Sequence, residues 1–185
     1  MKTSKIIRNL FLLLLCPIAV IAQSIGSAQT QVNVTIAQVQ SIQISQPTVS
    51  ISMAKPSHFL LGNDSGQQSN HIKVSSSTAY EVTVKASAEY FSHNGNTTSL
   101  PVNTIAVKTA TGNLTNSNAL PPAGLQVASQ IMLSTQPTTI IKSPSGEWGR
   151  GFHVDYAIPE TKSPSYLNRE AGAYNTTIMY TLIPQ

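Results

Sequence analysis

Sulfur chemistry is nearly missing from this chain. Its one cysteine, Cys16, cannot form a disulfide within the molecule. Leu13-Leu14-Leu15-Cys16 approaches a lipidation box, but Leu15 stands where a small residue normally precedes the modified cysteine. A domain without disulfides must hold itself together by burying a core. Charge is scarce as well, with 11 basic and seven acidic residues. No run of Lys and Arg forms a basic patch, so no nucleic-acid partner is expected. Tryptophan occurs once, at Trp148. Beyond the N-terminal stretch, no segment keeps a helical 3.6-residue period through three turns, which argues against a helical domain.

Catalytic signatures are missing too. There is no Gly-x-Ser-x-Gly elbow. His58, His71, His93 and His153 stand singly, without a metal-ligand spacing between them. His153 and Asp155 are two apart on an alternating stretch and share a face. The pair reads as the polar side of an amphipathic strand rather than as part of a triad, which is a matter of geometry. Asn63-Asp64-Ser65 offers one carboxylate, too little for calcium, and reads as a turn. The chain is therefore not read as an enzyme, and no catalytic residue, metal or cofactor is expected. Asn33, Asn63, Asn96, Asn113 and Asn175 begin Asn-x-Ser/Thr sequons, which arise by chance in a chain rich in Asn and Thr.

What is present begins with an address. Lys2, Lys5 and Arg8 precede an apolar run from Leu10 to Ile21, and Val20-Ile21-Ala22 offers a cleavage site before Gln23. This is the order of a secretory signal peptide, and about a dozen apolar residues are too few for the ~20 of a spanning helix. A second site follows Ala28. Residues 1–22 are thus assigned to the signal and 23–185 to a single domain that is exported to the periplasm, the outer surface or the medium. Removing Lys2, Lys5 and Arg8 leaves eight basic residues against seven acidic, so the mature chain is nearly neutral.

Period-two alternation dominates the remainder. Val32, Val34 and Ile36, then Val39, Ile42 and Ile44, suggest two strand segments with a bulge or sheet crossing between them. Val49, Ile51 and Met53 continue a short strand, and Lys55-Pro56 opens a loop. Tyr80, Val82, Val84 and Ala86 alternate with Glu81, Thr83 and Lys85. His93-Asn94-Gly95-Asn96 is a turn, Leu100–Thr109 a strand, and Thr111–Gly124 a long loop. Phe152, Val154, Tyr156 and Ile158 alternate with His153, Asp155 and Ala157. Pro159–Arg169 reads as a loop. The last stretch places Tyr174, Thr176, Ile178, Tyr180 and Leu182 on one face, and Thr177, Met179, Thr181 and Ile183 on the other. Both faces carry apolar groups, so this closing strand is expected inside the sandwich, with Tyr174, Ile178, Tyr180 and Leu182 in the core. About eight short strands separated by turns indicate an all-β fold, an immunoglobulin-like antiparallel β-sandwich with Greek-key crossing.

Two features could carry binding. Trp148, in a Gly-flanked loop, could stack on a sugar ring, as could Tyr166, or it could plug one end of the sandwich. Gln31–Ile36 has the alternation of a strand donated to a neighbour, through Val32, Val34 and Ile36, or it is the first strand of its own domain.

The order of elements resembles a family. The signal peptide, the alternating Val/Ile strand, Tyr80 to Ala86, Leu100-Pro101-Val102, Phe152 to Tyr156 and the closing Ala171-Gly172-Ala173-Tyr174 to Tyr180-Thr181-Leu182 are similar to exported fimbrial and spore-coat-U-like β-sandwich subunits of Gram-negative bacteria, especially the Bacteroidetes type. The usual disulfide of chaperone–usher pilins is missing here. The peptidoglycan-binding Trp-x-Leu motif is not matched at Trp148-Gly149-Arg150, so wall binding is not carried over. The resemblance implies a structural, fimbrial-subunit-like or adhesin-like surface protein. It would self-associate or join other surface subunits, helped by a periplasmic chaperone and completed by strand addition. A carbohydrate- or cell-wall-binding module, with a glycan as partner, is the alternative.

Overall fold

A computed structural model describes residues 27–114 and 120–185. The signal-peptide assignment, with Cys16, lies outside the described residues. The chain divides into two units, Met1–Ile36 and Ala37–Gln185. In the first, residues 27–36 join no ladder, and Val32, Val34 and Ile36 are 78%, 79% and 88% exposed.

The second unit carries the fold. Its strands are β1 Gln40–Ile44, β2 Gly62–Asp64, β3 Gln68–Ser76, β4 Tyr80–Ala86, β5 Tyr90–His93, β6 Asn96–Pro101 and β7 Ala106–Leu114. They continue as β8 Gln126–Val127, β9 Ile131–Met132, β10 Thr138–Ser143, β11 Glu147–Pro159, β12 Tyr174–Asn175 and β13 Ile178–Pro184. One sheet runs β1-β3-β11-β7-β9 with β2 also on β11, a second runs β13-β4-β10-β8, and a small third runs β12-β5-β6. Every ladder among the described residues is antiparallel. The protein is an all-β sandwich.

Alternation explains the layers. Tyr80, Val82 and Val84 of β4 and Ile140 and Ile141 of β10 meet Ile72 and Val74 of β3, Val107 of β7 and Phe152, Val154, Tyr156 and Ile158 of β11 in one buried cluster. The opposite face of β11 holds His153 and Asp155, half-buried. A register shift between Thr139 and Ile141 lets two successive isoleucines of β10 face inward.

Several elements differ from the sequence reading. β13 pairs with β4 alone and is an edge strand, not an interior one. Its outer face leaves Met179 and Ile183 44% and 37% exposed. Apolar residues on both faces therefore do not mark an interior strand here. Tyr174, Ile178, Tyr180 and Leu182 are half-buried and pack against the core. Of the two strand segments expected over residues 31–44, only β1 forms a ladder.

Lys55-Pro56 begins a helix, α1 Pro56–Leu61. Pro56 fits its first turn because its fixed φ suits a helix and its missing N–H costs nothing there. Six residues are too few to show a period. Gly62 ends α1 at φ +79, where an added Cβ would strike the Ile158 carbonyl oxygen. The turn at Asn94-Gly95 joins β5 to β6 as a hairpin, with both residues at positive φ. That is the two-residue turn favoured by strand twist. The expected loop from Thr111 is instead strand as far as Leu114, and Glu160–Tyr166 is a 3₁₀ helix within the expected 159–169 loop.

A candidate strand-binding cleft

The two larger sheets each end in an open edge, β1 on one and β13 on the other. Hydrogen-bond parity fixes what β13 presents. Ser87 N–H donates to the Thr177 carbonyl and Gln185 N–H to that of Ala79, both at 2.9 Å. Odd-numbered residues of β13 therefore bond to β4. By alternation, Ile178, Tyr180 and Leu182 turn their N–H and C=O groups away from it. Their side chains face the core side, so this edge offers backbone bonding and apolar contact together.

Residues 46–54 lie beside the edge. Val49, Ile51 and Met53 are half-buried against the core, while Thr48, Ser50 and Ser52 are exposed. The segment thus has a strand's alternation but no ladder: no backbone–backbone hydrogen bond joins it to another described residue. Two side-chain bonds tether it, one from Asn63 Nδ2 to the Ser52 carbonyl at 2.6 Å and one between Gln46 Oε1 and His71 Nδ1 at 2.8 Å. Between this segment and the β12–β13 stretch opens a cleft of about 960 Å³.

A polar row crosses one end of the cleft. Gln46 Oε1 lies 2.8 Å from His71 Nδ1, His71 Nε2 lies 2.9 Å from the Tyr156 hydroxyl, and that hydroxyl lies 2.6 Å from the Tyr180 hydroxyl. Burial lowers the His71 pKa, so the ring is neutral near pH 7. The amide oxygen can only accept, so Nδ1 carries the proton. Nε2 then accepts from Tyr156, and Tyr180 donates to Tyr156. Burial pushes the Tyr156 hydroxyl up to about 12 and that of Tyr180 further up, so both stay protonated. The Tyr180 oxygen keeps its accepting lone pairs. The Gln46 amide nitrogen has no partner among the described residues.

The far end is closed by Phe59, Tyr166 and the 169–174 turn. Tyr166 shares a hydrogen bond of 2.9 Å with Thr104 Oγ1. His93 stacks on Tyr174 at 4.6 Å and reaches the Ala173 carbonyl through Nδ1 at 3.0 Å. Gly172 at φ +143 lies against that imidazole, where a Cβ would collide with Cε1.

The structure separates the two aromatic candidates. Tyr166 lines the cleft, whereas Trp148 does not and is 65% exposed, so it is no core plug. His153 Nδ1 accepts the Asn70 N–H at 3.0 Å. Asp155 takes Lys108 at 3.1 Å and the Ser65 hydroxyl at 3.2 Å. No His153–Asp155 bond forms. Asp64 Oδ1 accepts Gly66 N–H at 3.0 Å, as a turn-forming aspartate does. Among the described residues, no three His, Cys, Asp or Glu side chains gather as a metal site would need. In the sequence His71 stands as a single histidine, because its partners are distant in the chain.

The sequence matches no protein-family model and no curated protein.

Proposed function

We propose that the protein is an exported structural subunit of a surface fibre or coat, completed by a strand from a neighbouring copy. In this reading the sandwich is an immunoglobulin-like Greek key that lacks one strand beside β13. The observation carrying it is the open β13 edge facing an unpaired, alternating segment across a cleft. Such an edge is a template for β-augmentation, in which backbone bonds give affinity and alternate side chains give specificity. The donor is Gln31–Ile36 of another copy, whose Val32, Val34 and Ile36 are exposed. Before assembly, a periplasmic chaperone covers the cleft.

The test is self-association of the purified exported protein. Wild-type chains form oligomers that grow with concentration in sedimentation. Val34→Asp puts a charge on the donated face and leaves monomers of unchanged melting temperature. Equal association of the variant and the wild type overturns the reading.

Exposed Trp148 favours a second reading, a glycan-binding module. Screening oligosaccharides against wild type and Trp148→Ala separates the two, because strand addition does not use this face.

A further inference from the structure

Apolar alternation alone leaves a register problem. A slip of one residue turns Val32, Val34 and Ile36 to the wrong face, but a slip of two keeps apolar side chains inward. Something else must tell these registers apart. The cleft has one feature that could. Its lining mixes polar and apolar groups, and at the β1 end a hydrogen-bonded row leaves the Tyr180 oxygen able to accept and the Gln46 amide able to donate.

The inward-facing positions of the donated strand continue past its three apolar residues to Thr30 on one side and Gln38 on the other. Gln38 is engaged in its own fold, where Nε2 reaches Thr78 Oγ1 at 3.3 Å and the adjoining Val39 N–H bonds Ser77 Oγ at 2.9 Å. Thr30 is exposed. A strand entering antiparallel to β13, as every ladder here runs, passes from the Tyr180 end towards Tyr174 as its residue numbers rise. That direction brings Thr30 to the polar row and Ile36 to the aromatic end. A threonine hydroxyl both donates and accepts, so it can bond either free end of the row, donating to the Tyr180 oxygen or accepting from the Gln46 amide.

We propose that the Gln46–His71–Tyr156–Tyr180 row sets the register of the incoming strand by pairing with Thr30 of the donor copy. This rests on the strand-addition reading and adds a specificity determinant to it.

The experiment titrates a synthetic peptide of residues 27–38 into the full chain carrying Val34→Asp, whose own segment does not compete. The native peptide binds. Thr30→Val, equal in shape but without the hydroxyl, binds roughly five- to tenfold more weakly, and Thr30→Ser recovers most of the loss. On protein carrying Tyr180→Phe, the native and Thr30→Val peptides bind alike. Gln46→Leu, at the half-buried end of the row, gives the same cycle should Tyr180→Phe fail to fold. Peptide binding that ignores Thr30→Val, or a Thr30→Val penalty that persists on both row variants, overturns the register proposal and leaves strand addition standing. Failure of every peptide to bind overturns both.

Discussion

His71 is 2% exposed and neutral, with both ring nitrogens engaged. Its pKa is lowered from 6.5 in the folded state, so the unfolded chain binds the proton more readily. The stability held by the neutral ring is therefore complete above pH 6.5 and is lost as pH falls from there through the folded pKa. Thermal melts through this range should show wild type losing stability faster than His71→Gln, which takes no proton. Parallel profiles would remove His71 as the cause. A second buried set makes the opposite use of charge. Arg150 and Glu147, with side chains 2% and 6% exposed, pair at 2.6 Å, and the Tyr80 hydroxyl donates to the same carboxylate at 3.1 Å. Glu147→Ala leaves a buried guanidinium without its counter-charge and should cost about 3–5 kcal/mol in denaturant melts. A Glu147→Leu, Arg150→Met double variant should be less damaging than Glu147→Ala. Neither set was legible in the sequence. His71, Tyr156 and Tyr180 come together only through the pairing of β3 with β11 and the packing of two sheets. Trp148 and Tyr166 looked alike as aromatics in loops, and only the fold gives one to solvent and the other to the cleft.

Elements were more legible than sites, because side-chain period is local and pairing is not. The alternation of β4 and of Phe152–Ile158 marked strands and their inward faces correctly. The same signal overreached at Val49–Met53, which alternates yet has no ladder. It misjudged β13, since apolar groups on both faces fit an exposed edge as well as an interior position. It also missed α1, whose six residues cannot display a period and whose limits depend on Pro56 and Gly62. Gly62 is open to test. At φ +79, with the Ile158 carbonyl in the way of a Cβ, Gly62→Ala should destabilise by more than the ~1 kcal/mol of an ordinary conformational penalty. Chemical denaturation reads the change, and a melt matching wild type would show that β2 can shift away from β11.

At the scale of the whole molecule, the two ends of the chain have opposite roles. Residues 27–36 belong to a unit separate from the sandwich and keep their apolar side chains exposed. Residues 178–184 form a seven-residue ladder with β4 and set Ile178, Tyr180 and Leu182 against the core. Half-buried, each of these side chains contributes roughly 1 kcal/mol, and their removal also exposes the β4 edge. A domain of this size holds about 5–15 kcal/mol in total, so the loss of the three takes a substantial share of it even before the unpaired edge is counted. Deleting residues 174–185 should therefore give insoluble or degraded protein. Deleting residues 27–36 after the signal should leave a cooperative melt at the wild-type temperature but no self-association. Light scattering and calorimetry on the two truncations make the comparison. A C-terminal deletion that melts like the full chain would show that the sandwich closes without β13. An N-terminal deletion that still polymerises would move the donated strand elsewhere in the chain. Only the pair of outcomes expected here makes one end the structural closure and the other the link between copies.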